Sequence, residues 1–120
     1  MKKILVADDE EILRMLICDT LEDLGYEIDE AEDGLDALTK INQQPYDLVI
    51  LDYMMPNLTG LEVIVRIPSE VKESTPILML TAKAQESDRQ IALDKGANYF
   101  VSKPFSPIEL MSLVEDILDA

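Results

Sequence analysis

Short apolar runs and longer amphipathic stretches alternate along this chain. The short runs fall at 3–7, 26–31, 47–51, 76–80 and 99–102. Each is brief and rich in Ile, Leu, Val or Tyr, which reads as a strand. The first and third are almost wholly apolar, as a strand buried on both faces requires. Between them the apolar residues take helical spacing. The first predicted helix covers about 10–24, with Leu13, Leu16, Ile17, Leu21 and Leu24 on one face. The second covers about 35–42, with Ala37, Leu38 and Ile41, and the third starts after Gly60 with Leu61, Val63, Ile64 and Ile67. The fourth covers about 85–95. The fifth covers 107–118, with Leu110, Leu113, Val114, Ile117 and Leu118.

The punctuation agrees with these boundaries. Gly25 and Gly96 stand just past the first and fourth helices, where a left-handed residue closes the last turn. Ser106 before Pro107 is a good cap before a good first helical residue. Pro68 should end the third helix near Ile67 and leave SEVKES as a loop or a separate turn. Five strands alternating with five helices predict a parallel sheet covered on both faces. Right-handed crossovers leave few topologies, and the flavodoxin-like order 2-1-3-4-5 is the usual one for five βα units. A length of 120 residues suits one domain, expected to span 1–120.

Composition narrows the chemistry. The net charge of −15 opposes direct binding to nucleic acid or to an anionic membrane. The apolar run near the N-terminus is too short for a signal sequence or a membrane span, so a cytoplasmic location is expected. The one cysteine, Cys18, reads as a small packed residue. There is no histidine, which excludes Ser-His-Asp and Cys-His catalysis and removes the commonest zinc ligand. Chemistry must then run on carboxylates, hydroxyls and lysines.

In open α/β sheets ligands bind beyond the carboxyl ends of the strands, at the point where the strand order reverses. For order 2-1-3-4-5 that point lies between strands one and three. Strand one runs into Asp8-Asp9-Glu10-Glu11, strand three into Asp52, strand four into Thr81, and strand five into Lys103-Pro104. Clustered carboxylates stay ionised only with positive charge among them, supplied by Lys103 or by a hard divalent cation. An oxygen-only donor set suits Mg²⁺. Asp8, Asp9 and Glu10 also favour the N-terminus of the first helix simply by their charge, which would need no ligand.

The segments ILVADDE, EAEDGLDAL, DLVILDYMMPNLTG, PILMLTA and KPFSP, in this order and spacing, resemble the receiver domain of two-component response regulators of the chemotaxis-regulator type. The resemblance covers essentially the whole chain. It implies that Asp52 is the phosphoacceptor, taking a phosphoryl group from the phosphohistidine of a sensor histidine kinase or a histidine phosphotransfer protein. It implies that Asp8, Asp9, Asp52 and the Met54 backbone carbonyl hold Mg²⁺, with Mn²⁺ as an alternative ion. Thr81 and Lys103 would bind the phosphoryl oxygens, and Lys103–Pro104 would be cis. Thr81 and Phe100 would form a switch acting on the face of the fourth helix, fifth strand and fifth helix, read by a downstream effector or a C-terminal output domain. Such a domain is no conventional enzyme, although it catalyses its own phosphorylation and dephosphorylation.

Some positions depart from common family patterns. Met54 and Lys83 stand beside the expected path of attacking water, and the last helix has no Lys or Arg for the basic side of a dimer. Three other readings fit less well. A flavin carrier would want a phosphate-cradling loop where DDEE stands. A haloacid dehalogenase-type phosphatase would want D-x-D. A non-phosphorylated module on the same scaffold would lack one of the acidic, Thr or Lys residues.

Overall fold

The computed structural model describes residues 1–82 and 86–119, with only the backbone of Glu86. The elements follow in the order β1 (Lys3–Ala7), α1 (Glu11–Glu22), β2 (Glu27–Ala31), α2 (Gly34–Gln43), β3 (Leu48–Asp52), α3 (Gly60–Arg66), α4 (Ser69–Ser74), β4 (Ile77–Thr81), α5 (Glu86–Lys95), β5 (Tyr99–Ser102) and α6 (Pro107–Asp119). The five strands form one parallel sheet of order β2-β1-β3-β4-β5, a flavodoxin-like α/β fold as the pattern predicts. Gln85, expected to open the fourth predicted helix, lies outside the described residues.

The three central strands explain why the sheet is covered on both sides. Successive side chains of a strand point to opposite faces. Leu5, Ala7, Val49, Leu51, Ile77 and Met79 therefore pack into one buried cluster, which also takes Ala37 and Ile41 of α2, Val63 and Ile64 of α3, and Ala92 of α5. Ile4, Val6, Leu48, Ile50, Leu78 and Leu80 pack into the other, with Ile17, Cys18 and Leu21 of α1 and Leu110, Val114 and Leu118 of α6. Two separate half-cores on one sheet fix the register, since a one-residue slip would exchange the two faces.

Pro68 divides the region after β3 more sharply than the sequence suggests. Ile67 takes an extended ψ of 132°, as a residue before proline must, and α3 ends there. Pro68 then caps α4, so SEVKES, expected as a loop or a separate turn, forms a short helix of its own. The start of α3 carries a reciprocal cap: the Glu62 N–H donates to Thr59 Oγ1 at 3.2 Å, and the Thr59 N–H donates to Glu62 Oε1 at 3.0 Å. Gly25 and Gly96 adopt φ of 93° and 127°, the left-handed closure expected after α1 and α5. The Glu109 N–H donates to Ser106 Oγ at 3.5 Å, in the capping position expected before Pro107.

Candidate acidic site at the sheet edge

The parallel sheet delivers the ends of β1, β3, β4 and β5 to one edge. Asp52 is the last residue of β3 and Thr81 the last of β4. Asp8 stands one residue past β1, where its N–H donates to Ala31 O of β2 at 3.2 Å. The Lys103 N–H donates to Thr81 O at 2.7 Å, which ties the loop after β5 to the end of β4. The Lys103–Pro104 peptide is cis, as expected.

These backbone ties bring together the side chains singled out from the sequence. Lys103 Nζ lies 3.2 Å from Asp52 Oδ1 and 3.3 Å from Asp8 Oδ2. Both carboxylates are buried, at 0% exposure for Asp8 and 4% for Asp52, while Asp9 is exposed. One oxygen from each of Asp8, Asp9 and Asp52 lies within 4.8 Å of the others. Thr81 is buried beside them on β4. Among the described residues this three-carboxylate cluster has one ammonium against it, that of Lys103 beside Asp8 and Asp52, which leaves it short of positive charge. The donor set is oxygen only and includes an exposed member through which an ion can enter. Those features fit a hard divalent cation such as Mg²⁺.

Electrostatics register the same shortage. Burial and the Asp8 charge push the Asp52 carboxyl up from 3.8 to about 7, against the opposing pull of Lys103. Burial alone would lower the Lys103 ammonium. Asp52 and Asp8 outweigh it and hold Lys103 above its ordinary value.

The loop after Asp52 is shaped by close approach. A Cβ on Gly60 would lie 2.5 Å from the Asp52 carbonyl oxygen, so a side chain here would displace the backbone of Asp52. The Gly60 N–H also donates to Tyr53 O at 2.9 Å. Gly60 is thus both the first residue of α3 and a spacer against the site. Asn57 makes the turn with φ of 70°, and its Nδ2 donates to Asp33 Oδ2 at 2.9 Å. Asparagine is among the few residues that enter this region readily, a signal present in the sequence but unread there.

Other expected residues take varied positions. The Met54 side chain is 58% exposed. Lys83, its expected companion beside the water path, lies outside the described residues. Ala82 lines a cavity of about 380 Å³ with Glu10, Leu13, Lys103, Pro104 and Phe105, open beside the acidic cluster. Phe100 pairs in register with Met79 and is half-buried against the core face shared by α2, α3 and α5. Thr81 pairs with Ser102, two residues along from that pair, so Thr81 and Phe100 share one face of the sheet.

Two contacts were not read from the sequence, although Glu10 stood in its acidic run. Glu10 Oε2 lies 3.6 Å from Lys103 Nζ, adding a third carboxylate around that ammonium. Arg14 Nη1 donates to the Asp8 carbonyl oxygen at 2.7 Å. Arg14 is the sole cation within α1, three residues after the acidic run, which sets it apart in the sequence but does not show where its side chain turns.

A doubly wound α/β domain with buried aspartates and a lysine at its strand ends is the architecture of a phosphoacceptor signalling module. Residues 4–115 match the response regulator receiver domain, and the chain belongs to that family. It is 45% identical over 117 residues to the alkaline phosphatase synthesis transcriptional regulatory protein PhoP of Bacillus subtilis, covering 98% of this chain and 48% of that protein. It is 45% identical over 116 residues to the transcriptional regulatory protein ResD of the same organism, covering 97% of this chain and 48% of that one. The chain thus spans about half the length of these curated relatives. Among solved structures, the chemotaxis response regulator CheY4 of Vibrio cholerae superposes with a TM-score of 0.92 at 35% identity, over 98% of this chain and 99% of that one. The response regulator TrrA of Thermotoga maritima, in complex with Mg²⁺ and a beryllium fluoride, superposes at 0.87 with 42% identity, over 98% of this chain and all of that one. No helix among the described residues is long and apolar enough to cross a membrane.

Proposed function

We propose that Asp52 is the phosphoacceptor of this receiver domain and that a histidine kinase or histidine phosphotransfer protein is the donor. The observation that carries this reading is the buried Asp52 carboxylate with Lys103 Nζ at 3.2 Å, between Asp8 and the end of β4. A carboxylate oxygen of Asp52 attacks phosphorus. The P–N bond to the donor imidazole breaks, its electron pair returns to the ring nitrogen, and an acyl phosphate results. Phosphoryl transfer depends on positioning and charge neutralisation more than on covalent help. Lys103 supplies a fixed positive charge and Thr81 a hydroxyl for the phosphoryl oxygens.

Asp8, Asp9, Asp52 and the Met54 backbone carbonyl would hold Mg²⁺, which when bound neutralises charge on the transferring oxygens. Mn²⁺ offers the same hard-ion chemistry. The solved relative with Mg²⁺ and beryllium fluoride supports this assignment. The domain is not a conventional enzyme. It promotes its own phosphorylation, and later loss of the group, at Asp52.

The output follows from Thr81 and Phe100 on one sheet face. A hydrogen bond from Thr81 to the new phosphoryl group draws the hydroxyl toward Asp52 and opens space for the Phe100 ring. The face of α5, β5 and α6 changes in consequence, a two-state element biased by a local charge. Residues 1–120 form one receiver domain, and a downstream effector or an output domain reads that face. The domain itself meets neither nucleic acid nor membrane, and its kinase partner places it in the cytoplasm. Intact-mass spectrometry after acetyl phosphate and Mg²⁺ tests the acceptor. One phosphoryl group on the wild type and none on Asp52→Asn is expected; equal uptake by both refutes Asp52.

A further inference from the structure

We infer that Arg14 is a positioning residue for the acidic loop, fixing the Asp8 backbone so that the Asp8 and Asp9 carboxylates converge on Asp52. The inference rests on the reading of those three residues as the metal-holding set. Arg14 has its guanidinium largely buried and divided between two acceptors. Nη1 donates to Asp8 O at 2.7 Å, and Nε donates to Glu30 Oε1 at 3.0 Å. Asp8 is wholly buried and stands past the end of β1, so its carbonyl needs a donor from outside the strand pairing. Arg14 meets that need from α1, in the first turn of the helix that follows the two aspartates.

The far end of the fork is itself anchored. Glu30 lies on β2, and its carbonyl accepts from Lys40 Nζ of α2. Lys40 Nζ also pairs with Asp36 at 3.4 Å. On the opposite side of Asp8, its own N–H is held by Ala31 O. The Asp8 peptide groups are therefore clamped on both sides, which fixes the point from which its side chain leaves the backbone. Within that clamp Asp8 Oδ1 accepts from the Glu10 N–H at 2.9 Å, leaving Oδ2 to face Lys103. A planar guanidinium can hold two acceptors at a fixed angle, whereas an ammonium is a single point of charge.

This role has a sign that charge alone does not. Removing a cation beside a cation site strengthens the attraction for Mg²⁺ by Coulomb's law. Removing a support of the liganding loop weakens binding, typically by about 10–100-fold for such outer partners. The test is Mg²⁺ titration by calorimetry, with beryllofluoride absent, on the wild type, Arg14→Met, Arg14→Lys, Glu30→Ala and the Arg14→Met/Glu30→Ala pair. Arg14→Met should raise the Mg²⁺ Kd roughly tenfold or more. Arg14→Lys keeps the charge but loses the fork, and should fall between it and the wild type. Glu30→Ala should weaken binding in the wild type and add nothing on top of Arg14→Met, because it acts through Arg14. A cooperative melt in chelator shows that each variant is folded. An unchanged or tighter Kd in folded Arg14→Met overturns the inference. If that variant does not fold, an unchanged Kd in Arg14→Lys overturns it equally. A wild type that fails to bind Mg²⁺ removes the metal reading itself, and the positioning role with it.

Discussion

Neutralising Asp52 should change how the metal-free domain responds to pH. Burial and Asp8 push the Asp52 carboxyl up to about 7 in the folded chain, against 3.8 for an ordinary aspartate. Between these values the folded state holds a proton that the unfolded chain has lost. Stability from this group is therefore complete below the unfolded value and is lost as pH rises through about 7. A shift of about three units corresponds to roughly 4 kcal/mol in full, at about 1.4 kcal/mol per unit. About 2 kcal/mol of that falls between about pH 5.5 and about pH 8, the rest at lower pH. Lys103 does not disturb this window. Its raised value contributes stability that is present below the ordinary lysine range and lost only above it. Urea unfolding of the wild type and Asp52→Asn, in chelator at both pH values, measures the effect. The wild type should lose about 2 kcal/mol more than the variant on going to the higher pH. Mg²⁺ should then return more stability to the wild type than to Asp52→Asn. Parallel pH profiles for the two proteins refute the argument, because they would mean that Asp52 is ionised at no cost.

Mg²⁺ should raise the melting temperature of the wild type, by roughly 2.7 kcal/mol of stability at 100 times its Kd, and Asp9→Ala should remove most of that rise; a response that survives the change places the ion elsewhere. Thr81→Ala should still accept a phosphoryl group at Asp52 but show smaller NMR shifts at the Phe100 ring and α5 on adding beryllofluoride and Mg²⁺; unchanged shifts exclude Thr81 as the coupling residue. Gly60→Ala puts a methyl group on the Asp52 carbonyl and should cost about 1–3 kcal/mol in a urea melt. A cost near zero would show that α3 can move away freely. Burial pushes the Cys18 thiol up to about 12, so the native protein should resist a thiol reagent near pH 8 and react at once in denaturant; prompt labelling of the native chain contradicts this.

The strand-ending residues were legible in the sequence because a parallel sheet turns sequence order into spatial order. Once five βα units are recognised, the ends of β1, β3, β4 and β5 must share an edge, and Asp8, Asp52, Thr81 and Lys103 follow. The resemblance of the motifs then gave those residues their expected roles. Contacts set by side-chain reach were harder to read. Nothing in EILRML says that Arg14 turns back to the Asp8 carbonyl, since that depends on the angle between α1 and the sheet. The position of Glu10 beside Lys103 depends likewise on the path of a loop. Pro68 announced a break, but a proline capping a new helix and a proline ending in a loop look alike until the next elements pack. The reciprocal Thr59–Glu62 cap was readable as T-x-x-E, and the left-handed turn at residue 57 was readable from the asparagine itself.

The acidic edge brings opposing demands together in one fold. A core-forming strand would end most stably in an apolar residue, yet β3 ends in a buried carboxyl group that burial and Asp8 push above the ordinary aspartate range. A well-packed hydrophobic replacement of such a group is often neutral or stabilising, so the cluster is weak evidence for stability. Its benefit lies in what it leaves unfinished. One ammonium serves Asp8, Asp52 and Glu10, so the edge keeps a demand for positive charge. A divalent cation meets that demand, and a phosphoryl group on Asp52 would renew it. The new charge would then draw on Lys103 and the Thr81 hydroxyl, which sit at the ends of different strands. Each is tied through the sheet to a different part of the molecule, Lys103 by its N–H to Thr81 O and Thr81 in register with Ser102, two residues from Phe100. On the proposed switch, a change of charge at one carboxylate would be converted into a change of packing at β5, because Thr81 and Lys103, which answer it among the described residues, stand at the ends of the strands that carry the surface to be altered.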